Sequence, residues 1–226
     1  MQAPEATRSV SPRAALATSL RALRDLALLA AAGLAAASIW ATGLPEEGLL
    51  LDAALWKEEV ADARADGPWP RDGWYRLEAR DNAVEVRAVR PGDGQAVPDD
   101  ALFFRLPGTT LKTGLRPTAA RTGLLQPLNL DQDYSLTFGR SRVGLRVEAV
   151  PKGLQYTVAY AGQTYSYMLA PFDAETTQVR AMADLDGDGL PDFLIDVGGD
   201  ATYLLLSTHA RPGLNRPTAE LWAAGC

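Results

Sequence analysis

Hydrophobic and polar positions along this chain fall into three regimes that follow one another. Residues 26 to 44, LALLAAAGLAAASIWATGL, form an uncharged run of 19. As a helix it measures about 28 Å, close to the hydrocarbon thickness of a bilayer. Next, Leu49, Ala53, Trp56, Val60 and Ala63 recur at alternating steps of four and three. That spacing lines one face of a short amphipathic helix over residues 47 to 65, which Gly67-Pro68 ends. From Trp74 onward the period becomes two. Tyr75, Leu77 and Ala79 alternate with Arg76, Glu78 and Arg80, Asp81-Asn82 makes a turn, and Val84, Val86 and Ala88 run back as the second arm of a hairpin.

The same alternation predicts strands over 101–106, 134–138, 143–150, 155–160 and 164–169, and again over 177–182, 193–197 and 202–206. Gly, Pro and Asp punctuate these segments. The expected fold class is therefore mainly β, an antiparallel and possibly sandwich-like domain over residues 68 to 226. A transmembrane or signal helix precedes it, and the amphipathic helix of residues 46 to 67 lies between. The stretch from Pro107 to Asp133 shows no period and reads as surface loop.

Charge gives the first hydrophobic run its direction. Arg8, Arg13, Arg21 and Arg24 precede it, while Glu46, Glu47 and Asp52 follow. The positive-inside rule leaves residues 1 to 25 as a basic cytoplasmic lead and exports everything after Pro45. Two outcomes stay open: a signal anchor in the bacterial inner membrane with the C-terminal domain in the periplasm, or cleavage near Ala37 or Ala41 to a periplasmic or secreted product. The net charge of -6 argues against nucleic acid, which demands a basic face. Cys226 is the sole cysteine, so only an intermolecular disulfide is open to it. His209 is the sole histidine, which excludes a Cys/His zinc site.

One segment concentrates chemistry. Asp184-Leu-Asp-Gly-Asp-Gly-Leu-Pro-Asp192 sets carboxylates at alternate residues, Asp184, Asp186 and Asp188, with Asp192 following. Gly187 and Gly189 allow the backbone to fold between them. Like charges at this density repel unless a hard cation lies among them. Numbered from Asp184, the segment begins as an EF-hand loop does. Position 12, however, is Ile195 where that loop needs a bidentate glutamate, and strands flank it instead of helices.

DLDGDGLPD resembles the Asp-rich calcium loops of FG-GAP and VCBS repeats, and residues 184 to 207 carry the likeness. The resemblance implies a bound calcium ion, with carboxylates from Asp184, Asp186, Asp188 and Asp192 and the backbone oxygen of Leu190. Asp196 is a further candidate for the ion's shell, while Asp200 reads as a turn residue. The loop occurs once, so the multi-bladed propeller of those families is not implied. The layout also resembles bacterial envelope proteins that end in one such loop.

The sequence carries no GxSxG motif, no P-loop and no Cys/His nucleophile pair. The expected function is a non-enzymatic, membrane-anchored envelope protein whose calcium-stabilised β domain serves as a binding or structural module for an unidentified protein or glycan. Two alternatives remain. An envelope hydrolase requires a second carboxylate pair in a cleft. A carbohydrate binder requires Tyr156, Tyr160, Tyr165 and Tyr167 to be exposed together.

Overall fold

The chain divides into two compact units, Met1–Glu46 and Glu47–Cys226. The structure, a computed structural model, describes residues 48–61, 69–80, 82–94, 96–118, 127–151, 153–169 and 176–222, all within the second unit. The predicted membrane segment 26–44, the end of the amphipathic helix and Cys226 lie outside the described residues. Among those described, no helix is long and apolar enough to cross a membrane.

The domain is mainly β. Its strands are β1 (Gly48–Asp52), β2 (Trp74–Arg80), β3 (Ala83–Val89), β4 (Leu102–Arg105), β5 (Gly114–Pro117), β6 (Asp133–Phe138), β7 (Ser141–Val150), β8 (Gly153–Tyr160), β9 (Gln163–Leu169), β10 (Thr177–Ala183), β11 (Asp192–Val197), β12 (Ala201–Leu205), β13 (Gly213–Asn215) and β14 (Ala219–Trp222). Nine of them form one sheet in the order β10-β11-β12-β14-β1-β4-β2-β3-β5, and five form a second in the order β13-β9-β8-β7-β6. Pairing is antiparallel except between β1 and β14 and between β13 and β9.

The five-stranded sheet has one core face, as clean alternation demands. Leu154, Tyr156, Val158 and Tyr160 of β8 are buried while the residues between them are only half-buried. Val143, Leu145 and Val147 of β7 and Tyr165 and Tyr167 of β9 extend that buried face. Together they pack on Val179, Phe193, Ile195 and Tyr203 of the large sheet.

The large sheet curls. Parts of β10 and β3 lie within 8 Å of each other (Cα to Cα), which gives it barrel-like curvature. Leu50, Leu77, Val86, Phe104, Leu194 and Leu204 fill its concave side. β11 and β12 therefore lie between two cores, and this explains their nearly continuous apolar sequence. In β10 the register shifts between Val179 and Ala181, a bulge at Arg180. Val179 consequently packs in the sandwich core and Ala181 inside the curled sheet.

Three expectations need correction. Residues 48 to 52 are strand β1, not the start of a helix, because Leu50 and Leu51 are buried on opposite faces. Among the described residues only Ala53–Leu55 is α-helical (α1), capped by the Asp52 carboxylate, and a π-helical turn Trp56–Ala61 follows. Trp56 stacks on Phe103 at 4.1 Å and covers the outer face of β1, β2 and β4. The supposed loop 107–133 contains β5, which its exposure on the sheet edge had hidden from a periodicity argument. Finally, β13 and β14 lie beyond the last predicted strand.

Candidate metal centre

The aspartate loop joins β10 to β11, as the flanking alternation predicts. Gly187 and Gly189 have φ of 88° and 84°, which places both in the left-handed region that glycine enters without strain. Each aspartate then caps a turn. Asp184 Oδ1 accepts the Gly187 N–H at 2.7 Å, Asp186 Oδ1 that of Asp188 at 3.2 Å, and Asp188 Oδ1 that of Leu190 at 2.7 Å. The effect is convergence. One oxygen from each of Asp184, Asp186 and Asp188 lies within 4.8 Å of the others.

Asp192 behaves differently. It is fully buried, and one of its oxygens serves the loop's own donors while the other serves Ser207. Oδ2 accepts from the N–H of Leu185 at 2.6 Å and of Asp186 at 3.3 Å, and Oδ1 from the Ser207 N–H at 2.7 Å. Burial pushes its carboxyl up to about 7, and the Asp186 charge adds to that, while bonds from Ser207 and Leu185 pull the other way. Leu190 packs its side chain against the sandwich core. The converging group thus holds three of the four predicted carboxylates, and the fourth shapes the loop.

Partners distant in sequence complete the site. Arg116 of β5 donates through Nε to the Asp184 carbonyl at 2.7 Å and through Nη2 to Asp184 Oδ2 at 3.1 Å. The Ser207 hydroxyl lies 2.9 Å from both Asp188 Oδ2 and Asp192 Oδ1, with one proton to give. Thr208 Oγ1 donates to Asp186 Oδ2 at 2.6 Å. Sequence reasoning missed Arg116, Ser207 and Thr208, because nothing local marks a residue 68 or 22 positions away as a neighbour.

Other candidates fall elsewhere. Ile195 is fully buried in the sandwich core, so no ligand occupies position 12. Asp196 lies at the far end of β11, where Oδ1 accepts the Gly199 N–H at 3.1 Å, and it is not among the converging carboxylates. His209 ends a 3-10 turn, exposed, 2.9 Å from Thr109 Oγ1. Tyr156, Tyr160, Tyr165 and Tyr167 are buried core residues, so they form no exposed aromatic platform. A cavity of about 320 Å³ lies between the Trp56–Ala61 turn and the sheet. Its cations are answered within the fold: Lys57 by Asp99 at 3.3 Å, Arg76 by Glu78 at 2.6 Å and Arg90 by Asp72 at 2.9 Å. Comparison with protein-family models, curated proteins and solved structures finds no match to this chain.

Proposed function

We propose that this chain is an exported cell-envelope protein whose β domain is a non-enzymatic binding or structural module stiffened by one calcium ion. Residues 26 to 44 carry the domain across the bacterial inner membrane or hold it there. The observation that carries the metal reading is the convergence of Asp184, Asp186 and Asp188 oxygens within 4.8 Å. An all-oxygen, carboxylate-rich set favours a hard cation, and the likeness to FG-GAP and VCBS loops favours calcium over magnesium. Asp192 keeps the loop in shape, and the Leu190 carbonyl supplies a further ligand. This is the FG-GAP and VCBS kind of loop used once, as a staple between β10 and β11.

The test is calcium titration of the full chain in detergent, with melting followed in calcium and in chelator. Exported sites of this type bind at about 10⁻⁴ to 10⁻³ M, so a few millimolar calcium stabilises by about 1–2 kcal/mol. Asp186→Ala abolishes that increment. If chelator leaves melting unchanged and Asp186→Ala is neutral, the calcium reading fails.

A further inference from the structure

The outer face of β2 buries a pair of charges beside the layer that carries Trp56. Strand parity puts Trp74, Arg76 and Glu78 on one face, and Arg76 pairs across to Phe103 of β4. Trp74 and Phe103 pack with Trp56, Val60 and Val89 in an apolar cluster. Arg76 is 4% exposed and Glu78 2%, so both charges are taken out of water. Burial of that kind is offset only where the pair's geometry is good and the remaining donors find acceptors.

Neither condition is met here. Among the described residues, the buried side-chain atoms left without a hydrogen bond are Arg76 Nε and Glu78 Oε1. They lie 2.6 Å apart as an ion pair, with the oxygen off the N–H axis. A guanidinium has five N–H donors, and the one hydrogen bond described runs from Nη1 to the Ala96 carbonyl at 3.1 Å. Charge is not balanced either. Glu78 also takes Arg80 at 2.5 Å, while Arg80 and Arg87 share Glu85. Three guanidinium groups thus face two carboxylates.

Space lies beside this pair. Arg76 lines the cavity of about 320 Å³ between the Trp56–Ala61 turn and the sheet, with Trp56, Phe103, Val89 and Val97 as apolar walls. Lys57 and Arg90 line it too, so its cations outnumber Asp93. The partners of Lys57 and Arg90, Asp99 and Asp72, are exposed, and exposed pairs exchange at little cost. A chain of net charge -6 therefore keeps a positive lining at this cavity. We propose that the cavity binds a small organic carboxylate with an apolar body, the carboxylate held by Arg76 and the body against Trp56 and Phe103. The guanidinium fork matches a carboxylate, and apolar walls with few polar groups at this volume are the ordinary make-up of a small-molecule site. No residue is shared with the aspartate loop, so this reading and the calcium reading stand or fall separately.

The experiment is calorimetric titration of the full chain in detergent with 3-phenylpropanoate, run beside its neutral amide and a detergent blank. Saturable binding of the acid, about tenfold or more tighter than the amide, supports the proposal. Arg76→Met keeps the apolar stem and removes the guanidinium, while Glu78 retains Arg80. That variant weakens acid binding about tenfold and leaves amide binding unchanged. Should it lose its circular dichroism signature, the exposed Lys57→Gln takes its place and weakens acid binding about threefold. No saturable binding of the acid, equal binding of acid and amide, or a folded variant that binds the acid as the wild type does, overturns the proposal.

Discussion

At Asp184 the Arg116 guanidinium and the proposed calcium ion would share one carboxylate. Arg116 holds Oδ2 at 3.1 Å, and the proposed calcium requires oxygens of the same side chain. Arg116→Gln therefore acts in opposite directions on two measurements. It removes a half-buried ion pair, which lowers the melting temperature in chelator. It also removes a positive charge from beside the ion, which tightens calcium binding in a titration. A variant that weakens both would place Arg116 among the groups that assemble the site. Aspartate spacing is visible in the sequence, but the competing guanidinium is not, because β5 reaches the loop only through the curl of the sheet.

Among elements, the β1–β14 junction leaves no room for a side chain at Gly48. A Cβ on Gly48 would meet the Thr218 carbonyl oxygen at 2.7 Å and Phe104 Cε2 at 2.8 Å. Backbone in a paired strand cannot withdraw as a flexible side chain can. Gly48→Ala thus costs about 1–3 kcal/mol in denaturant unfolding, although alanine elsewhere in a strand is tolerated better than glycine. Acid acts on the β2–β3 hairpin. Hydrogen bonds from Arg80, then Arg87, hold the Glu85 carboxyl below its ordinary range. A carboxyl depressed in the fold adds stability above its unfolded pKa and loses it as pH falls through the folded value. Glu85→Gln accordingly flattens the acid limb of a melting-temperature profile, and an unchanged limb would show the pairs to be inert. The hairpin itself was legible in sequence from alternation and turn chemistry. The burial of Arg76 and Glu78, which share a face with Glu85, was not, since the layer that carries Trp56 packs over that face only in three dimensions.

For the whole molecule, the proposed address is the property with the widest consequence. In spheroplasts, added protease should digest the β domain while leaving cytoplasmic markers intact, and the intact mass of the extracted protein reports whether Met1 to Ala41 is retained. Protection of the β domain would refute export. At this scale the domain's shape depends on contacts between distant segments: β14 inserts beside β1, and β10 curls toward β3.

The sequence by itself determined the β class, most strand positions and the acidic loop, because alternation, turn residues and charge density are local properties. It also marked Ile195 and the flanking strands as incompatible with an EF-hand. Only the tertiary structure decided that Asp192 ties the loop's N–H donors to Ser207, that Arg116, Ser207 and Thr208 reach the aspartates, and that four tyrosines are core. The physical reason is the same in each case: strand pairing and sheet curvature are long-range choices, set by which apolar faces can be buried together, and a residue's neighbours across a sheet leave no mark in its own stretch of chain.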